Sequence, residues 1–153
     1  MNKRLLGIGL GLAISMLTIT STFADENTDI LVNTAYNQLG KPYVFGSYAY
    51  EDSSHDCSSL MVYCYRQLGI DLPRCSVDQA EVGVPVTIDE IQEGDLVCMH
   101  TSDRNGAGKT SHVGMYVGDG KIIEARGRKW GVVITNLEDR ASIITTIRRI
   151  INN

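Results

Sequence analysis

Two residues have the types and the local settings of a nucleophile and its base. Cys57 opens a predicted helix, where unpaired backbone N–H groups and the positive end of the helix dipole favour a thiolate. His112 opens a β-branched, apolar segment that predicts a strand. A strand holds an imidazole more rigidly than a loop does. The two residues therefore predict nucleophilic catalysis by Cys57 with His112 as the general base.

A general base also needs a polar partner that orients its ring. The segment 118–120, Gly-Asp-Gly, predicts a tight turn between two strands. If this turn closes symmetrically, Gly114 faces Glu124. In the same register His112 faces Arg126, and the alternation of strand side chains puts His112, Glu124 and Arg126 on one face of the sheet. Glu124 is therefore predicted to orient His112 and to stabilise its imidazolium form.

Helices are predicted in the first half of the chain and strands in the second. Asp56 is placed to cap the helix that Cys57 begins, and Gly69 is placed to end it. The second half predicts an antiparallel sheet. The predicted helices cover residues 28–39, 57–68 and a short turn within 76–83; the strands cover 95–100, 112–117, 121–125, 132–135 and 143–150; 43–56, 84–86 and 101–111 are loops.

The N-terminus has the pattern of a secretory signal peptide. Lys3 and Arg4 precede an apolar stretch over residues 5–20, and small residues stand at Thr22 and Ala24. Cleavage after Ala24 divides the chain into a signal peptide, 1–24, and one mature domain, 25–153. The apolar stretch is shorter than the ~20 residues that span a bilayer, so an uncleaved membrane anchor is the less favoured alternative. The mature protein is expected outside the cell or in the cell wall, and not in a membrane.

Charge and cysteine content exclude several classes of protein. Without Lys3 and Arg4, 12 basic residues stand against 18 acidic ones, a formal net charge of −6 that argues against nucleic acid as a partner. Four cysteines are too few for a small domain held together by disulfides. Cys64 and Cys98 are predicted to be core thiols, although a Cys64–Cys75 disulfide stays open. No CxxC pair or His/Cys cluster predicts a zinc site.

Several segments occur in an order that matches one known family. They are Lys41-Pro42-Tyr43-Val44-Phe45-Gly46, Asp56-Cys57-Ser58-Ser59-Leu60, Leu72-Pro73-Arg74, Gly94-Asp95-Leu96-Val97 and Ser111-His112-Val113-Gly114-Met115-Tyr116-Val117-Gly118. Together they resemble the NlpC-type family of papain-like cell-wall peptidases, over most of residues 25–128. The resemblance implies an α+β papain-like fold, with N-terminal helices, including the nucleophile helix, packed on a C-terminal antiparallel sheet. It also implies no metal and no other cofactor.

The resemblance further implies hydrolysis of amide bonds in peptidoglycan stem peptides, commonly after D-glutamate. Asp56 and Ser58 would line the subsite for the stem peptide. Tyr43 would help the backbone N–H of the nucleophile to hold the oxyanion. Ser111, next to the base, and Arg126, which otherwise belongs to a solvated basic turn, complete the predicted binding residues. The partner is then peptidoglycan stem peptide, and a monomer is expected.

Three features depart from the family pattern. Glu124 stands where the family most often has a histidine. The loop after Tyr43 reads Gly-Ser-Tyr at 46–48 in place of a double glycine, while Ser59 and His55 replace a usual glycine and a usual apolar residue. Beside an active endopeptidase, two hypotheses remain. One is a wall-binding module that has lost turnover, and the other is a related amidase or antibacterial effector that uses the same dyad.

Overall fold

One six-stranded antiparallel sheet is the frame that carries the site. The computed structural model describes residues 17–151, with side chains from Glu26 onward. Within that range the helices are α1 (Leu17–Tyr36), α2 (Cys57–Arg66) and α3 (Ser76–Gln79), and the strands are β1 (Val84–Val86), β2 (Leu96–Met99), β3 (His112–Tyr116), β4 (Lys121–Gly127), β5 (Gly131–Asn136) and β6 (Ile144–Arg149). The strand order is β1-β6-β2-β3-β4-β5.

Helix α1 begins earlier than the sequence pattern indicates. It starts at Leu17 and continues through Ala24, the predicted cleavage position, to Tyr36. Residues 1–16 of the predicted signal peptide lie outside the described residues. Within residues 17–151, no helix has the length and apolar character needed to cross a membrane.

Helix α2 starts where the sequence predicts because its first turn is capped on both sides. The carboxylate of Asp56 accepts a hydrogen bond of 2.8 Å from the backbone N–H of Ser59, and the hydroxyl of Ser59 accepts one of 2.8 Å from the backbone N–H of Asp56. This capping box makes Cys57 the first helical residue. The helix proper ends at Arg66, before Gly69, whose φ is +72°.

The main core lies between α2 and one face of the sheet. Helix α2 packs on β3 and β4. The thiols of Cys64 and Cys98 are fully buried in this core, as predicted, and burial raises the pKa of each to about 12. All four cysteines are free, so Cys64 and the exposed Cys75 form no disulfide. The other fully buried core residues from these elements are Leu60, Met61, Leu96, Val113, Met115, Ile123 and Ala125.

The five predicted strands are present, but the prediction of a loop at residues 84–86 is wrong. Residues Val84–Val86 form the edge strand β1, which pairs with β6. A three-residue strand shows no alternation long enough to recognise in a sequence. Pro85 has no N–H to donate, and an edge strand tolerates that loss.

The β3–β4 hairpin has the predicted register. Each residue of the turn 118–120 has a positive φ, as the Gly-Asp-Gly sequence allows. The observed pairs are Met115 with Ile123 and Tyr116 with Ile122. Continuing the pairing by one residue places Gly114 opposite Glu124. A Cβ atom at Gly114 would lie 2.5 Å from Cγ2 of Ile122 and 3.2 Å from Cβ of Glu124, so a larger residue there would have to displace its neighbours on β4.

Candidate active site

The side chain of His112 lies between Cys57 and Glu124. Nε2 of His112 is 2.5 Å from Oε2 of Glu124. The side chain of Cys57 lies near enough to the ring to raise its pKa. Because Glu124 occupies Nε2, Nδ1 is the ring nitrogen left to interact with the thiol. All three residues are buried, Glu124 completely. The fold therefore brings together the three residues that the sequence predicted to form the reacting group.

Two further side chains hold Glu124, and neither of them is indicated by the sequence. Oε1 of Glu124 accepts hydrogen bonds from Oγ1 of Thr135 at 2.7 Å and from Nε and Nη2 of Arg140 at 3.0 and 2.6 Å. Thr135 lies on β5, beside the strand of Glu124. Arg140 lies in the 3₁₀ segment Glu138–Ile143, with its side chain 15% exposed. No pattern in the sequence marks a turn residue as a partner of a strand residue.

These contacts favour an ionised pair of His112 and Glu124. Burial acts to raise the pKa of Glu124, but the hydrogen bonds from His112, Thr135 and Arg140 outweigh it and lower the pKa to about 2. Burial acts to lower the pKa of His112, whereas its bonds with Cys57 and Glu124 raise it to about 9. Near neutral pH, Glu124 is therefore a carboxylate that stabilises an imidazolium.

Asp56 and Ser58 lie at the N-terminal end of α2 and are held by Arg74. The guanidinium of Arg74 binds both carboxylate oxygens of Asp56, at 3.0 and 2.5 Å, and also donates to Oγ of Ser58 at 2.9 Å. The backbone N–H of Gly46 donates to Asp56 at 2.9 Å. Burial opposes ionisation of Asp56, but the bonds from Arg74 and Ser59 lower its pKa. Asp56 thus joins the loop at Gly46 to the start of the nucleophile helix.

Tyr43 faces the same cavity as Cys57 because its loop is bonded to the residues before α2. The backbone N–H of His55 donates to the carbonyl of Pro42 at 3.1 Å, and the N–H of Val44 donates to the carbonyl of His55 at 3.0 Å. Burial, followed by the negative charge of Cys57, raises the pKa of the Tyr43 hydroxyl. The hydroxyl is therefore protonated and able to donate a hydrogen bond into the cavity.

His55, which departs from the family pattern, is a fully buried neutral residue. Its Nε2 lies 3.0 Å from Oε1 of Gln38, and its ring packs against Tyr63 with centroids 5.3 Å apart. Burial lowers the pKa of His55 to about 4, so the ring carries no charge near neutral pH. An uncharged ring in contact with an aromatic side chain is compatible with the apolar residue that the resemblance implies at this position.

Ser111 lines the cavity and anchors the loop that precedes the base. Its Oγ accepts hydrogen bonds of 2.9 Å from the backbone N–H groups of Thr101 and Ser102. These bonds connect the loop 101–110 to the residue that directly precedes strand β3.

Arg126 is not among the residues that line the cavity at Cys57. It is exposed, and its guanidinium lies 4.6 Å from the centroid of the Trp130 ring. The β4–β5 pairing shifts register between Ala125 and Gly127, directly after Glu124. This bulge changes the direction of side chains at the end of β4. The predicted neighbour of the triad thus lies on the surface.

The cavity at Cys57 has a volume of about 320 Å³ and is open to solvent. Three groups that could act on a bound amide meet there: the thiol of Cys57, the hydroxyl of Tyr43 and the backbone at the start of α2. Within the described residues, no three His, Cys, Asp or Glu side chains cluster closely enough to hold a metal ion. The lining residues are Tyr43, Phe45, Gly46, Asp56, Cys57, Ser58, Arg74, Cys75, Ser76, Arg104, Asn105 and Ser111.

Comparison with known proteins agrees with this geometry. The model of the NlpC/P60 family matches residues 40–148, a range that contains the cavity, helix α2 and strands β1 to β5. The chain belongs to the NlpC/P60 family. Its helices, packed on an antiparallel sheet, form the α+β papain-like fold that the sequence predicted.

Relatives in the NlpC/P60 family share the domain but are longer proteins. The chain is 34% identical over 115 residues to the murein DD-endopeptidase MepH of Escherichia coli (strain K12), covering 73% of this chain and 41% of the relative. It is 38% identical over 125 residues to the gamma-DL-glutamyl hydrolase of Bacillus subtilis (strain 168), covering 80% and 29%. The structure of NlpC1 from Trichomonas vaginalis superposes with a TM-score of 0.76 at 28% identity, covering 83% and 45%. The chain thus spans less than half the length of these relatives.

Proposed function

We propose that this NlpC/P60 protein is a secreted cysteine endopeptidase that hydrolyses peptidoglycan stem peptides. The observation that carries the proposal is the placement of His112, which contacts Cys57 on one side and the buried carboxylate of Glu124 on the other. This arrangement supplies a nucleophile, a base and an orienting anion at the edge of an open cavity.

The chemistry follows from these positions. The thiolate of Cys57 attacks the amide carbonyl, and the oxygen that becomes negative is held by the backbone N–H of Cys57 and by the hydroxyl of Tyr43. The imidazolium of His112 donates its proton to the departing amine, leaving a thioester on Cys57. Neutral His112 then takes a proton from water, whose oxygen attacks the thioester and releases a carboxylic acid. Glu124 stays ionised throughout and stabilises each imidazolium.

The bond proposed to be cut is the amide on the γ-carboxyl side of D-glutamate. Two observations support this choice: the resemblance of the segments around Cys57 and His112, and the glutamyl bond in the name of the Bacillus subtilis relative. Asp56 and Ser58 line the cavity beside the thiol and are proposed to contact the part of the stem peptide that precedes this bond.

The test is digestion of defined peptidoglycans, one containing diaminopimelate and one containing lysine, with the products identified by mass. The wild-type protein is expected to release fragments that end in D-glutamate. Cys57→Ala and His112→Ala are expected to lower the rate by at least about a thousandfold. Cys75→Ser is the matched control, because Cys75 is the other free thiol in the cavity. Full activity in Cys57→Ala would refute the proposal.

A second candidate function is hydrolysis of γ-glutamyl bonds outside peptidoglycan. The similarity to a gamma-DL-glutamyl hydrolase over 80% of this chain favours it. The reaction at Cys57 would be the same, and the two candidates differ only in the polymer. Release of products from a γ-linked polyglutamate, with no release from peptidoglycan, would select this alternative.

Secretion is proposed from the N-terminal pattern, with the mature domain acting in the cell wall or outside the cell as a monomer. Cleavage after Ala24 would divide α1 and leave its residues from Asp25 onward on the mature domain. N-terminal sequencing of the protein from culture medium is expected to begin at Asp25. Retention of the full chain in the membrane fraction would contradict secretion.

A further inference from the structure

The cavity at Cys57 is lined by two arginines, and only one of them is engaged by a carboxylate. Arg74 uses its Nη groups on both oxygens of Asp56, on Oγ of Ser58 and on the carbonyl of Ser47. Its charge is therefore neutralised by a buried partner. Arg104 lines the same cavity, and among the side chains described from Glu26 onward no carboxylate lies within salt-bridge distance of it.

The guanidinium of Arg104 lies beside the loop that carries Tyr43. Its guanidinium lies 4.9 Å from the centroid of the Phe45 ring, on the loop that also carries Tyr43. Burial raises the pKa of Tyr43, and the charges of Arg104 and Arg128 act on this pKa in the opposite direction. Of these two arginines, only Arg104 lines the cavity at Cys57. The aromatic face of Phe45 keeps the guanidinium in place without consuming its hydrogen-bond donors.

The loop that carries Arg104 is fastened at several points. Ser111 accepts hydrogen bonds from the backbone at its start, the side chain of Asn105 donates to the carbonyl of Thr110 at 2.8 Å, and Nδ1 of His100 lies 2.8 Å from the carbonyl of Lys109. A fastened loop loses less conformational freedom when it binds a ligand than a loose one does. This favours a role in recognition for the side chain it presents.

The local charge of the cavity at Cys57 differs in sign from the net charge of the chain as a whole. The chain has a formal net charge of −4, which repels acidic ligands at long range. Within the cavity, the charges of Arg74 and Asp56 cancel each other. The unpaired guanidinium of Arg104 therefore leaves the cavity with a local positive charge.

We propose that Arg104 is a specificity residue that binds a free carboxylate on the substrate residue next to the scissile amide. A γ-linked glutamyl residue carries such a group, because its α-carboxyl does not take part in the chain. The proposal thus rests on the proposed function and adds the state of that carboxyl. A substrate with a free α-carboxylate is preferred over the otherwise identical α-carboxamide, which offers neither the charge nor the two acceptor oxygens that a guanidinium fork binds.

The experiment compares two synthetic peptides, L-alanyl-γ-D-glutamyl-L-lysine and the same peptide with the glutamyl α-carboxyl amidated. A charge-assisted hydrogen bond corresponds to about tenfold to a hundredfold in kcat/KM, so the wild type is expected to prefer the acid by at least about tenfold. Arg104→Gln is expected to bring the ratio close to one, mainly by slowing cleavage of the acid. Arg104→Lys is expected to keep part of the preference, because lysine retains the positive charge but lacks the two parallel N–H donors of the guanidinium.

Lys109→Gln is the matched control, since Lys109 is a cation of the same loop that does not line the cavity. It is expected to leave the ratio unchanged. The proposal is overturned if the wild type shows no preference, if Arg104→Gln keeps the wild-type ratio, or if Lys109→Gln lowers the ratio equally.

A binding measurement separates this proposal from the proposed reaction. Titration calorimetry of Cys57→Ala with the two peptides requires no hydrolysis. The acid is expected to bind more tightly, and the difference is expected to disappear in the Cys57→Ala, Arg104→Gln double variant. If the wild type hydrolyses neither peptide but the binding preference is present, the proposed reaction fails and the role of Arg104 stands. Equal binding of both peptides by Cys57→Ala overturns the role of Arg104.

Discussion

Arg140 and His112 share the carboxylate of Glu124, one on each oxygen. Arg140 donates two hydrogen bonds to Oε1, and His112 lies 2.5 Å from Oε2. The buried carboxylate of Glu124 thus has a cationic partner on each of its two oxygens. Arg140 keeps the carboxylate ionised, and Glu124 in turn keeps a proton on His112.

Glu124→Gln is expected to lower kcat by about a hundredfold, because the amide still orients the ring but no longer stabilises the imidazolium. The negative charge of Glu124 contributes to a pKa of about 9 for His112, so its removal lowers that pKa. Activity is lost as the pH rises through the pKa of His112. The alkaline limb of the pH–rate profile is thus expected to move to lower pH, and an unchanged limb would show that Glu124 does not act through His112.

Arg140→Met is expected to move the same alkaline limb in the opposite direction. Loss of the guanidinium leaves the full negative charge of Glu124 to His112, whose pKa then rises. Breaking this buried pair is also expected to destabilise the protein by about 3 kcal/mol in urea denaturation. Arg140→Lys keeps the positive charge and serves as the control for the direction of the shift. If the role of Arg140 is purely structural, Arg140→Met will lower stability without moving the alkaline limb of the pH–rate profile.

Glu124→His introduces the residue type that the family resemblance implies at this position, but the variant is expected to have low activity in this chain. The imidazole would face the cation of Arg140, which would then lack its carboxylate partner. The double variant Glu124→His, Arg140→Met is expected to be more active than Glu124→His alone. A double-mutant cycle in kcat/KM measures this coupling, and additive effects would show that the two side chains are independent.

Arg74→Gln is expected to destabilise the start of the nucleophile helix. The substitution leaves the carboxylate of Asp56 buried without its guanidinium partner. The free energy of unfolding is expected to fall by about 2 kcal/mol, less than for a fully buried pair, because Arg74 is partly exposed. Asp56→Asn keeps the helix cap and removes the charge. Combining it with Arg74→Gln is therefore expected to cost less than the sum of the two single variants. Urea denaturation of the four proteins checks this, and strict additivity would contradict the pairing.

Local signals account for the parts of the site that the sequence predicted correctly. A cap at Asp56 sets the first residue of a helix, and the turn at 118–120 sets the register that places Glu124 near His112. Both rules act over a few residues, so they can be recognised without knowledge of the packing. The same rules fail for β1, which is defined only by pairing with β6, more than 60 residues away.

The sequence by itself thus determined that Cys57 begins a helix, that His112 begins a strand and that Glu124 lies on the strand beside it, because caps, turns and alternation are local. Tertiary structure alone decided which cations meet which carboxylates. Arg140 reaches Glu124 from a turn, Arg74 neutralises Asp56 across 18 residues, and Arg104 stays unpaired in the cavity. A long, flexible arginine side chain pairs with a carboxylate that lies near it in the folded chain. These residues come near one another only when the helices have packed on the sheet.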